Sequence, residues 1–265
     1  MNVALAPRPS VVLRDADEAF VTLDGVTKVF GKGKASMTAL ENVSLELRKG
    51  EFVCILGTSG CGKSTLLSLV AGLDKVTSGT IEIADGRPAV MFQEPALLPW
   101  LTVRRNVELP MRLHKVDTEE RNKTVNRLLS MVGLIDFADH RPHQLSGGMR
   151  QRCALARALA QDSELLLMDE PFAALDALTR DQLHDDLNRI WQETGKTIIF
   201  VTHNVREAVR LGDRVVLMTP RPGRVARIWD VDIARPRELD SFEVSGLAHE
   251  ITAQLRAGAA GNGAQ

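Results

Sequence analysis

The chain contains no tyrosine, and aromatic residues make up only 4% of it. Any aromatic ring of this chain that stacks on a ligand therefore cannot be phenolic and must come from Phe, Trp or His. Cysteine is equally sparse. Cys54, Cys61 and Cys153 are too few and too scattered for a disulfide framework or a zinc site, which points to a reducing compartment. Neither sign of charge dominates: 33 basic residues stand against 34 acidic ones, a formal net charge of -1. This gives no electrostatic case for wrapping nucleic acid, and none is expected as a partner. Nowhere do about 18 apolar residues run together, so no segment is expected to cross a bilayer. Met1 to Arg14 also lacks the basic-then-apolar pattern of a secretory signal. Any attachment to a membrane should therefore go through another subunit.

What is present suits a globular fold: 265 residues, 44% hydrophobic and 25% charged, enough for one large domain or a core with a subdomain. Residues 1–19 are polar, punctuated by Pro7 and Pro9, and read as a loose leader. Strand character starts at Phe20. Val43, Leu45 and Leu47 alternate with Ser44, Glu46 and Arg48, giving one buried and one wet face. After a turn at Lys49-Gly50, residues 51–56 form an apolar run fit for a strand buried on both faces. Residues 94–161 carry helical spacing with no strand pattern, the mark of a helical insertion. Strands return at 164–168, 197–201 and 214–218, with a helix over 205–211 between the last two. Such alternation predicts a parallel sheet clad by helices. A C-terminal helix and a frayed Gly/Ala-rich tail are expected over 236–265.

Gly57-Thr58-Ser59-Gly60-Cys61-Gly62-Lys63-Ser64-Thr65 matches G-x-x-x-x-G-K-[ST] between an expected strand and an expected helix. Glycines let backbone N–H groups converge on phosphate oxygens, and the helix aims its positive end at them. Lys63 should reach the β- and γ-phosphates, the Ser64 hydroxyl should bind Mg²⁺, and Thr65 should add a phosphate contact. Cys61 reads as a permitted small residue, although alkylation there could block nucleotide by bulk.

Asp169 and Glu170 follow four apolar residues at the end of a strand, the edge where open α/β sheets bind ligands. Asp169 either touches Mg²⁺ itself or supports a group that does. Glu170 points elsewhere and can orient or deprotonate the attacking water. His203 and Gln93 each end a strand-like run at the same edge. The histidine could contact the γ-phosphate or hold the water, or be an ordinary loop residue, and a glutamine alone proves nothing.

Farther along, Leu145-Ser146-Gly147-Gly148-Met149-Arg150-Gln151 places a second glycine-rich, Ser-capped helix start between the phosphate loop and the acidic strand end. Its glycines leave the helix N-terminus bare, so an anion can approach. With Ala174-Leu175-Asp176 and His203, the set closely resembles the ABC-type ATPases, in that family's order, over roughly residues 20–235. The resemblance implies an α/β fold: a P-loop NTPase (RecA-like) core with a mostly parallel sheet, an antiparallel β subdomain and a helical subdomain inserted at about 94–161. It also implies a head-to-tail dimer in which ATP and Mg²⁺ are held by one copy's Gly57–Thr65 and the other's Ser146, Gly147 and Gly148. Asp176 lies at that interface. Lys63, Gln93, Glu170 and His203 serve hydrolysis, and Ser64, Gln93 and Asp169 the metal. The adenine stacks on Phe30, where the family often has tyrosine, so the π face survives and the hydroxyl is lost.

Finer stretches resemble one importer branch, the ATP-binding subunits for nitrate, sulfonate and taurine. They are Gln93–Trp100, Phe172–Arg180 and Met218–Val225. That implies peripheral attachment at the cytoplasmic face of the inner membrane, on integral permease subunits served by a substrate-binding protein. Leu97, Leu98 and Trp100 read either as helical-subdomain core or as the rim of a groove for a permease helix. The alternative is a soluble or exporter-type ABC ATPase. Soluble relatives usually carry tandem cores or a long coiled-coil insertion, and this chain shows neither.

Overall fold

The computed structural model describes residues 19–31 and 33–261. The leader expected over 1–19 lies outside the described residues apart from Ala19, which opens β1 (Ala19–Phe30). β1 is the middle of a small antiparallel sheet, flanked by β2 (Met37–Arg48) and β4 (Ser78–Ile83). The alternation read in β2 is realised: Val43, Leu45 and Leu47 are buried while Ser44, Glu46 and Arg48 face solvent.

A six-stranded sheet forms the main layer. Its members are β3 (Phe52–Leu56), β5 (Ala89–Met91), β6 (Leu165–Asp169), β7 (Thr197–Thr202), β8 (Arg214–Met218) and β9 (Val225–Asp230). They lie in the order β5-β6-β7-β3-β8-β9, parallel except for β9, which pairs antiparallel at the edge. Side chains alternate across a strand, so β3 feeds two cores. Phe52, Cys54 and Leu56 enter one with the helical layer, while Val53 and Ile55 enter the other with the antiparallel sheet and α1 (Lys63–Val70). β6 and β7 divide their residues in the same way, which is why these strands read as unbroken apolar runs.

The helical insertion comprises α2 (Val103–Leu113), α3 (Thr118–Met131) and α4 (Gly147–Leu159). α5 (Ala177–Thr194) and α6 (Val205–Leu211) cover the sheet, and α7 (Phe242–Gly261) packs on α6. The Gly/Ala-rich stretch expected to fray is helical as far as Gly261, and residues 262–265 lie outside the described residues. Among the described residues no helix is long and apolar enough to cross a membrane.

Candidate active site

The loop between β3 and α1 is shaped by what surrounds it. Gly62 caps α1 in the left-handed region (φ 97) with no side-chain cap. A Cβ there would stand 2.6 Å from Leu40 Cδ2 and 3.0 Å from the Ala39 carbonyl, so only glycine fits. The first amides of α1 are thereby left without intrahelical partners, which makes this helix start an anion site. Lys63 is buried, and its Nζ donates to the carbonyls of Gly57 (2.9 Å) and Thr58 (3.2 Å). Cys61 is wholly buried beneath the loop.

Above this loop opens a cavity of about 260 Å³. Ser59, Gly60, Gly62, Lys63, Ser64 and Thr65 form its floor, and Phe30 and Met37 its far wall. Ala39, Glu170 and Arg221 complete it. Phe30 is partly exposed and carries the Lys28 ammonium 4.8 Å from its ring centroid. Lys28 itself is anchored by Asp74 at 2.7 Å, so the ring is braced by a cation–π contact.

The ends of β6 and β7 bring the polar groups together. Asp169 hydrogen-bonds the Ser64 hydroxyl, and burial pushes its carboxyl above the usual range, an effect the Ser64 bond partly offsets. A desolvated carboxylate joined to a hydroxyl is a hard-oxygen pair suited to Mg²⁺, which commonly takes one or two carboxylates plus phosphates and water. One residue on, the Glu170 backbone turns into the left-handed region (φ 42) with its N–H bonded to the Val201 carbonyl at 3.0 Å. Strain of this kind concentrates at functional sites. The turn aims Glu170 so that Oε1 lies 3.7 Å from Lys63 Nζ and Oε2 lies 2.8 Å from His203 Nδ1. The loop carrying His203 is fixed from below: Thr202 Oγ1 donates to the buried Glu207, which in turn meets His184 Nε2 at 2.6 Å.

The other expected site residues stand apart. Gln93 lies two residues past the end of β5 and is exposed, and its main-chain carbonyl accepts a bond from Gln151 Nε2 at 2.9 Å, but it does not line the cavity. Ser146, Gly147 and Gly148 do not line it either. Ser146 caps α4 by accepting from the Met149 N–H at 3.2 Å. Gly148 has a packing reason absent from the sequence reading: a Cβ would lie 2.4 Å from Thr179 Cγ2 on α5. Asp176 caps α5, accepting from the Thr179 N–H at 3.0 Å, and is exposed. Arg221 was missed as a cavity residue, since the turn between β8 and β9 gives no sequence signal for where it folds.

A phosphate loop at the C-terminal edge of a parallel sheet, with Lys63, Ser64 and Glu170 lining one cavity and Asp169 bonded to Ser64 beside it, defines a P-loop nucleoside triphosphatase. Residues 40–173 match the ABC transporter family. The chain is 46% identical to a taurine import ATP-binding protein of Burkholderia thailandensis, over 79% of this chain and 84% of that one. It is 48% identical to a nitrate import ATP-binding protein of Synechococcus elongatus, over 83% of this chain and 35% of that longer one. Among solved structures it is similar to a dimeric ATP-binding cassette in a post-hydrolysis state bound to ADP and phosphate. There the TM-score is 0.71 at 37% identity, covering 81% of this chain and 100% of that one. The chain belongs to the ABC transporter family and is an ATP-binding cassette ATPase.

Proposed function

We propose that this chain powers an importer of a small anion such as nitrate, a sulfonate or taurine, working as a head-to-tail pair closed by ATP and reopened by hydrolysis. The observation that carries the chemistry is the Lys63–Glu170–His203 arrangement at the sheet edge. Lys63 and the loop amides bind the β- and γ-phosphates. Ser64 and Asp169, together with Gln93, would hold Mg²⁺, which when bound would neutralise phosphate charge. Glu170 orients and deprotonates the water, His203 steadies the γ-phosphate end, and Phe30 stacks on adenine.

The separation of Ser146–Gly148 from the cavity supports a site completed in trans, with the second copy's helix start facing the phosphates and Asp176 at the shared interface. The loop before α2 supports docking on a permease. Its Trp100 is 67% exposed, while the loop is fixed by the buried Asn106, which accepts from the Leu98 N–H at 2.8 Å and donates to three carbonyls. A rigid loop presenting an exposed tryptophan is a natural anchor for a partner helix. Such a complex lies at the cytoplasmic membrane face, with the cargo delivered by a substrate-binding protein.

Two measurements test this reading. Ser146→Arg should abolish hydrolysis while monomer nucleotide binding stays nearly intact, and a parallel loss of both refutes the in-trans site. Purification from solubilised membranes should recover an integral membrane subunit, whereas ribosomes or DNA in its place refute the importer.

A further inference from the structure

The turn joining β8 to β9 is built more firmly than a surface connection requires. Thr219 Oγ1 donates to the Pro222 carbonyl at 2.9 Å and accepts from the Arg224 N–H at 3.0 Å. The Gly223 N–H donates to the Ala39 carbonyl at 2.9 Å, and the Gly223 carbonyl accepts from the Glu41 N–H at 3.0 Å, stitching the turn to β2. A Cβ on Gly223 would lie 2.1 Å from the Cys61 carbonyl, so the turn sits directly against the phosphate loop. Arg224 ties the outside to Glu41 at 2.6 Å.

This scaffold presents Arg221. Its Nε donates to the Gly60 carbonyl at 3.1 Å, and a Cβ on Gly60 would meet its Nη2 at 3.3 Å. Arg221 lines the cavity that also holds Phe30, Lys63 and Ser64. Charge accounting singles it out. Lys63 is engaged by two carbonyls and faces Glu170, whereas Arg221 has no carboxylate partner among the described residues. A cation whose Nη donors have no partner among the described residues, clamped at the rim of a polyanion site, is suited to phosphate oxygens.

We infer that Arg221 is a nucleotide-binding residue whose guanidinium pairs with the phosphates of bound ATP or ADP. The inference rests on the ATP-site assignment above. The test is titration of ADP without divalent metal, at low and high salt, on wild type, Arg221→Gln, Arg221→Lys and Lys63→Ala. Arg221→Gln should bind about tenfold more weakly, the effect of losing one charge-assisted contact, with a shallower salt dependence. Arg221→Lys should recover most of the affinity, and both variants should melt like wild type without nucleotide. Unchanged affinity in Arg221→Gln, equal losses in both variants, or a lowered melting temperature without nucleotide would each overturn the inference. Lys63→Ala keeps the two failures apart: if it too binds normally, the ATP-site assignment itself falls.

Discussion

Replacing Gly148 by alanine separates two reasons for a glycine at the start of α4. A Cβ would stand 2.4 Å from Thr179 Cγ2 and 3.8 Å from Thr179 Cβ, so one methyl group is the whole obstacle. Gly148 lies inside a helix, where alanine gains at most about 1 kcal/mol over glycine. Overpacking of this kind costs about 1–3 kcal/mol, because a β-branched side chain in a helix has few rotamers to retreat to. The balance is a loss of about 0–3 kcal/mol, or at most about 12 °C of melting temperature for a chain of this size. Adding Thr179→Ser removes the methyl group and should restore the melting temperature to wild type or above. Thermal melts of the single and double variants check this, and identical melts for the two refute the contact as the reason for the glycine. Hydrolysis by the double variant then decides the second question. Recovered turnover means that packing alone demands Gly148. A stable protein without turnover means that the helix start must stay bare for an anion.

Glu170→Gln keeps a hydrogen-bonding partner for His203 but removes the charge. ATP should still bind and closed dimers accumulate on gel filtration, with turnover down by about 10²-fold or more; rapid turnover removes Glu170 from the chemistry. For Asp169, burial raises the folded-state pKa. The stability tied to this group is therefore full below the unfolded pKa and lost as pH rises through the folded value. At neutral pH, metal-free Asp169→Asn should melt above wild type, and the gap should close on acidification; a gap that stays constant with pH refutes the burial argument. Cys61 has no exposed surface, and burial pushes its thiol up, so maleimide should react with it far more slowly than with a free thiol at neutral pH. Once alkylated, the protein should lose hydrolysis, and wild-type turnover after complete labelling would show that bulk at this position is harmless.

How far the sequence reaches follows from how each element is buried. β6, β7 and β8 sit inside the sheet with both faces covered, so their residues are apolar without interruption and their positions were readable to within a residue or so. The phosphate loop was equally plain, because its backbone geometry tolerates few residue types, as the close approach of Leu40 to Gly62 illustrates. α5 was not singled out. Its buried Leu183, Leu187 and Ile190 do fall at helical spacing, whereas the pairing of His184, on the same stripe, with Glu207 on α6 leaves no trace in the sequence. Gly148 was expected to keep the helix start bare, and its packing reason was not legible, since the atom that needs the space belongs to another helix. Arg221 escaped for a related cause: a two-stranded turn has no periodicity, and only the folded contact with Gly60 brings it to the cavity. Local motifs thus reveal the groups that act through their own backbone. Groups that act by meeting a distant segment need the fold. That distinction also bears on Ser146–Gly148, which has a local cap in this chain and, under the proposed head-to-tail pairing, would meet nucleotide only across a second copy.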